Sequence, residues 1–196
     1  FMLKAMDDIR KGNERGRIFA QGAARAGAHY KVARIPVIKG QSISAYDPRV
    51  IEVTGISMMI TAQGADHTAG NLPVFDCRDK TTAQLVEASL GIQIACAAAD
   101  SLGLCIFGRS VTNVSAELVV TALNDAHGTS LDTSFMKALG LETLRNEWAF
   151  NKAAGFTEKD DELPDFFYDE PLAPSNKAAR HRAAEVNRSM RELLAS

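Results

Sequence analysis

Residues 81–105 read TTAQLVEASLGIQIACAAADSLGLC, and this stretch decides the fold. Thr81 followed three residues later by Gln84 is a capping box, in which each side chain satisfies the other residue's backbone N–H at a helix start. Leu85, Ala88, Ile92, Ala95 and Ala99 then recur at helical spacing on one face. Their small size lets a second helix approach closely. Gly103 ends the helix, because glycine takes the left-handed conformation easily and would lift Leu104 and Cys105 off the axis. Asp100 falls in the last turn, where the helix end is partly negative and a carboxylate is mildly unfavourable. Taken alone, Asp100 to Cys105 reads as a solvated acid, a helix stop and a structural thiol.

Upstream, Leu3, Met6 and Ile9 suggest a helix that Gly12 ends, and a second short helix spans Gly16 to Ala28. Residues 32–46 change texture to proline- and glycine-broken extended segments, an edge hairpin at most. Val50 to Ala62 is apolar enough to be buried and runs into a polar loop, Gln63 to Asn71, carrying Asp66 and His67. Downstream, a loop leads from Gly108 to Ser115, which caps a helix from Ala116 to Asn124 with Leu118, Val119, Ala122 and Leu123 inward. A short helix from Asp132 to Leu139 is expected to stop at Gly140, and another follows from Leu141 to Ala154 with Leu144 and Trp148 inward. The chain closes on a charged helix, Asn176 to Leu194, whose narrow stripe of Ala179, Ala183, Val186, Met190 and Leu193 implies a surface position or packing on another part of a larger protein. The fold class is all-α and multihelical, with a short β-hairpin around residues 32–46 at most.

Composition narrows the function classes. The 196 residues carry a net charge of −2, which gives no electrostatic case for nucleic acid or an anionic membrane surface. No apolar run stands out at the roughly 20 residues a membrane span needs. Three cysteines, an odd number without a close pair, argue against a disulfide framework and fit a reducing cytoplasm. The opening on Phe1 inside an amphipathic pattern has the look of a piece of a longer protein.

Several stretches together resemble the tungsten-containing aldehyde ferredoxin oxidoreductases. Val37-Ile38-Lys39-Gly40 followed by Ala45-Tyr46-Asp47-Pro48-Arg49 is similar to one family segment, and Gly64-Ala65-Asp66-His67 resembles the family's Gly-x-x-His loop. Asp100-Ser101-Leu102-Gly103-Leu104-Cys105 matches its Asp-x-x-Gly-Leu-Cys motif. Phe150 to Thr157, Asp160 to Pro164 and Glu170-Pro171-Leu172 resemble its C-terminal signature. The likeness runs from about Gly16 to Leu172, with the motifs in family order.

The resemblance implies that residues 1–30 lead in from a preceding domain and that 31–196 form the helical C-terminal domain. It implies a tungsten (or molybdenum) bis-pterin and a [4Fe–4S] cluster in the full-length protein, held mainly by the N-terminal part, with no cofactor on this piece alone. Cys105 would be the fourth cluster thiolate, Asp100 and the Leu104 backbone would bond a pterin ring, and His67 would donate a proton or orient substrate near the metal. Those residue types suit the chemistry: iron needs a thiolate, a pterin edge offers N–H donors to a carboxylate, and histidine titrates in the useful range. The whole enzyme would oxidise a small aldehyde to a carboxylate and pass electrons to ferredoxin, with a homodimer as a further possibility. A related branch acts on aromatic acyl-CoA thioesters with the same cofactors, and a cofactor-free helical interaction domain is the alternative from another class.

Ligand counting limits the piece. A [4Fe–4S] cluster takes four cysteines, and Cys77 and Cys96 are placed to be structural. Cys96 lies nine residues before Cys105, which at about 100° per residue puts the two on opposite faces of a continued helix. His29, His127 and His181 are expected to face solvent, and Glu158 to Glu162 lacks calcium-ligand spacing and reads as a solvated turn. After Leu172 the chain departs from the family's longer aromatic-rich tail.

Overall fold

A computed structural model of the chain describes residues 1–108 and 115–195. Among them run α1 (Met2–Lys11), α2 (Glu14–Phe19), α3 (Ala23–His29), β1 (Val37–Ile38), β2 (Gln41–Ser42), α4 (Glu52–Ile60), α5 (Thr82–Ser101), α6 (Ala116–His127), α7 (Ser134–Ala153), α8 (Phe166–Asp169) and α9 (Ala183–Ala195). The molecule is mainly helical, and its hairpin pairs Val37 with Ser42 and Ile38 with Gln41. The loop expected between Gly108 and Ser115 lies outside the described residues.

The capping box forms in full: Thr81 N–H donates to Gln84 Oε1 at 3.0 Å and Gln84 N–H to Thr81 Oγ1 at 3.3 Å. From that cap α5 runs through the middle of the molecule, packed by α4, α7 and α9. Its burial is therefore not the single stripe the spacing suggests. Val86, Ser89, Gln93, Cys96 and Ala97 are buried along with Leu85 and Ala99, whereas Ala88, Ile92 and Ala95 are only partly covered. By length and composition α5 is apolar enough to cross a membrane, contrary to the reading of the sequence. A helix wrapped by three others needs the same composition.

All nine residues of α4 are buried. Val53, Ile56 and Met59 join Leu85 and Val86 of α5, Phe167 of α8 and Val186 of α9 in one cluster. Each such side chain contributes about 2 kcal/mol on leaving water. Gly55 permits the approach of Pro48, since a Cβ there would lie 2.6 Å from Pro48 Cβ.

Further expectations need correction. The helix expected from Gly16 to Ala28 is broken at Gly22, φ +86°, into α2 and α3. Gly140 does not stop a helix; α7 continues through it because a Cβ at that point would sit 2.0 Å from the Ile94 carbonyl of α5. Glycine here is a contact surface, and the packing gained outweighs its low helix propensity. In α6 the buried residue is Val120, while Leu118 is exposed. Asn176 lies in an exposed turn, Lys177 bridges Leu172, and the non-helical residues after it are tied to the core by Ala179 N–H bonded to Phe167 O at 2.7 Å, so the final helix starts only at Ala183. Its stripe packs on α4 and α5 of this same chain, with Ala183 and Val186 buried.

A further correction concerns polar groups. His181 is buried, its Nδ1 2.9 Å from Thr82 Oγ1. Thr82 gives its one hydroxyl hydrogen to Glu185 Oε1, so the imidazole must be the donor to Thr82. Asp161 and Glu162 are anchors and not a solvated turn. Asp161 pairs with Lys39 and accepts from Asn187 Nδ2 at 2.9 Å, and Glu162 accepts from the Ala183 N–H at 3.2 Å and from the Tyr168 hydroxyl. Cys77 and Cys96 are buried, as read.

Candidate functional site

The loop bearing His67 leaves the C-terminal end of α4, where backbone carbonyls lack helical partners. Three side chains supply donors. Lys39 Nζ bonds Met59 O at 2.7 Å, Trp148 Nε1 bonds Ile60 O at 2.8 Å, and Asn151 Nδ2 bonds Ala62 O at 2.7 Å. Lys39 also brings a positive charge to the negative end of the helix. Burial pulls its pKa down and Asp161 only partly restores it. Two motifs far apart in sequence, Lys39-Gly40 and the Trp148 to Asn151 stretch, thus fix the start of one loop.

The Ala45 to Arg49 segment fixes the other side. Arg49 is buried, forks onto Asp47 at 2.9 and 2.7 Å, donates to Glu170 O at 2.7 Å and stacks over Phe167. Tyr46, just before it, lies against His67 with ring centroids 5.3 Å apart. His67 opens a 3-10 turn, His67–Ala69, that Asp66 caps by accepting from Thr68 N–H at 2.7 Å. Asp66 therefore serves the backbone, and the imidazole is positioned by the Tyr46 face.

At the far end of α5, Gly103 has φ +67°. Gly103 N–H bonds Asp100 O at 3.0 Å and Leu104 N–H bonds Ala99 O at 2.9 Å, the two bonds of a Schellman cap. Since Leu104 has spent its N–H, any bond from its backbone to a ligand falls to the carbonyl. Asp100 and Cys105 stand on either side of the cap, both exposed. Among the described residues no three His, Cys, Asp or Glu side chains converge to hold a metal. Cys105 is a single thiol turned outward.

Beside Asp100 lies a cavity of about 250 Å³ between α5, α7 and the His67 loop, walled by Gln63, Ala69, Gln93, Asp100, Thr143 and Glu147. The structure thus brings the His67 loop and Asp100 to one space, while Cys105 sits beyond the cap. Sequence reading missed Gln93 and Glu147. Gln93 is fully buried, and its Oε1 has no partner; the same holds for Glu147 Oε2. Burial, and then the charge of Asp100, push the Glu147 carboxyl above its ordinary range. The available signal for Gln93 was an amide between Ile92 and Ile94 in an otherwise apolar helix. Glu147, on the exposed-looking side of a mixed helix, gave none.

The exposed Asp100 carboxylate fits a donor-rich ligand edge. An outward thiol fits an iron ligand whose companions lie elsewhere. No curated protein is similar enough to be matched with this chain. A family model described as aldehyde ferredoxin oxidoreductase, domains 2 and 3, matches residues 1–195, and the chain belongs to that family.

Proposed function

We propose that this chain is the cofactor-capping region of an enzyme that oxidises aldehydes to carboxylates with ferredoxin as electron acceptor. The observation that supports it most is the end of α5, where the Gly103 cap presents the Asp100 carboxylate and the Cys105 thiol outward, Asp100 at the wall of a cavity of about 250 Å³. When bound, a tungsten or molybdenum bis-pterin would supply the two-electron oxidation of the aldehyde, with water as the source of the added oxygen, and a [4Fe–4S] cluster would relay the electrons singly. Cys105 Sγ would hold one iron of that cluster, with the other three thiolates coming from polypeptide outside these residues. Asp100 would accept N–H bonds from a pterin edge and so set the ring's orientation. The Leu104 carbonyl would add a second acceptor.

His67 would hold or move a proton at a ring nitrogen near the reacting carbon, its plane kept by Tyr46. The three donors on the end of α4 keep that loop in place. The region alone lacks the remaining ligands and is expected to be inactive, and the enzyme is expected in the cytoplasm. Full-length protein purified without oxygen tests the reading. Iron near four atoms per chain together with tungsten or molybdenum supports it; protein free of all three metals overturns it.

A further inference from the structure

A cleft of about 650 Å³ opens between the end of α4, the last turns of α7 with the loop after them, and α9, and it shares no wall residue with the cavity beside Asp100. Ile60, Trp148, Phe156 and Met190 give it an apolar wall. The Trp148 indole is fixed there by its bond to Ile60 O at 2.8 Å. Lys39 and Asn187 form a polar wall, joined through Asp161. Lys39 Nζ lies 2.5 Å from Asp161 Oδ1, and Asn187 Nδ2 donates to Asp161 Oδ2 at 2.9 Å and to Ala183 O at 3.0 Å. A carboxylate and a carbonyl only accept, so both amide hydrogens of Asn187 are committed and its oxygen faces away from them. Asn187 is 4% exposed, and its Oδ1 has no partner among the described residues. Unlike Gln93 Oε1, that oxygen is not sealed off from solvent. Lys39 has three N–H groups, of which Asp161 takes one and Met59 O, at 2.7 Å, another.

One carboxylate thus sets a spare donor and a spare acceptor beside an aromatic wall. An amine would bring only donors to Lys39, and a carboxylate only acceptors to Asn187 Oδ1. Of the other charges on the cleft, Arg191 and Glu158 pair with each other and Lys152 is exposed. The geometry points to a binding site for an uncharged aromatic molecule of the carboxamide class. Its C=O takes the third Lys39 hydrogen, its N–H donates to Asn187 Oδ1, and its ring lies against Trp148 and Phe156. The volume falls within the roughly 300–1,000 Å³ of small-molecule sites. Lys39 and Trp148, with Asn151, also hold the end of α4, so the bound molecule rests on the support of the His67 loop. The site is independent of the role proposed for Asp100 and Cys105.

The test is ligand-observed saturation-transfer NMR on the full-length protein, with benzamide as the probe and benzoate and benzylamine as its anionic and cationic counterparts. Saturable binding of benzamide is expected, with both charged compounds weaker by about tenfold or more, since each leaves one polar partner unmet. Ala62→Phe fills the cleft from its wall while leaving Lys39 and Asn187 in place, and should abolish the binding. Asn187→Leu removes the acceptor and should weaken benzamide by about tenfold. Melting of each variant without ligand shows whether it is folded. Absence of benzamide binding to wild type overturns the inference, as does equal binding of the three compounds or binding that survives Ala62→Phe. Where a variant fails to fold, the ranking of the three compounds on wild type decides alone.

Discussion

The two ends of α5 handle buried polar groups in opposite ways. At the N-terminal end Thr82 joins His181 and Glu185, and nearby Glu52 takes a bidentate Arg180 at 2.7 Å on both oxygens. Arg180 reaches on to the Cys77 and Lys80 carbonyls, tying α4, the lead-in to α5 and the segment before α9 together. Among the described residues the orphan there, His181 Nε2, still lies 3.8 Å from Glu52 Oε2. Toward the C-terminal end Gln93 Oε1 and Glu147 Oε2 are buried without a hydrogen-bond partner, and Asp100 and Cys105 are exposed. The first end is closed by its own chain. The second leaves a carboxylate and a thiol exposed, and it is there that the proposed function puts the cofactors.

The largest effect expected breaks the seam that supports both ends. Gly140→Ala drives a methyl into the Ile94 carbonyl and should cost on the order of 3 kcal/mol, read as a lower denaturant midpoint with an unchanged slope. An unchanged midpoint would mean that α5 and α7 are not packed this closely.

Next is the closed end. Burial raises the Glu52 carboxyl, but Arg180 and then His181 more than offset it and hold it at about 2. A depressed carboxylate contributes stability above its unfolded value and loses it as pH falls, here between about pH 5 and pH 2. Arg180 is about half exposed, so water screens the pair and Arg180→Ala should cost about 2 kcal/mol near neutral pH. That cost should vanish toward pH 2, which acid titrations of both proteins would check.

The open end should respond with the opposite sign. The raised Glu147 carboxyl makes the fold lose stability as pH rises through its folded value. With the cavity empty, Glu147→Gln should therefore melt at or slightly above wild type at pH 8, by less than about 1 kcal/mol, and match it near pH 4. A clear loss at pH 8 in cofactor-free protein would show that Glu147 has a structural partner.

These regions were unequally legible in the sequence. Local rules sufficed for the Thr81 to Gln84 box and the Gly103 cap, because a few adjacent residues determine both. The same rules misread Gly140, where the deciding atom belongs to another helix. His181 hid in a run of arginines that looks solvated, although contacts with Thr82, about a hundred residues away, bury it. The resemblance to the family drew attention to Asp100 and Cys105 and passed over Gln93 and Glu147, each of which carries a buried oxygen without a partner. An unmet hydrogen bond is a property of three-dimensional packing, and no spacing in the chain encodes it.

The claim that the C-terminal end of α5 faces a cofactor is tested most directly at its thiol. Full-length protein carrying Cys105→Ser, prepared without oxygen beside a Cys96→Ser control, should be compared with wild type by the electron paramagnetic resonance of the reduced cluster. The account predicts an altered or lost cluster signal for Cys105→Ser and an unaltered one for the buried Cys96→Ser. A wild-type signal from Cys105→Ser would contradict it.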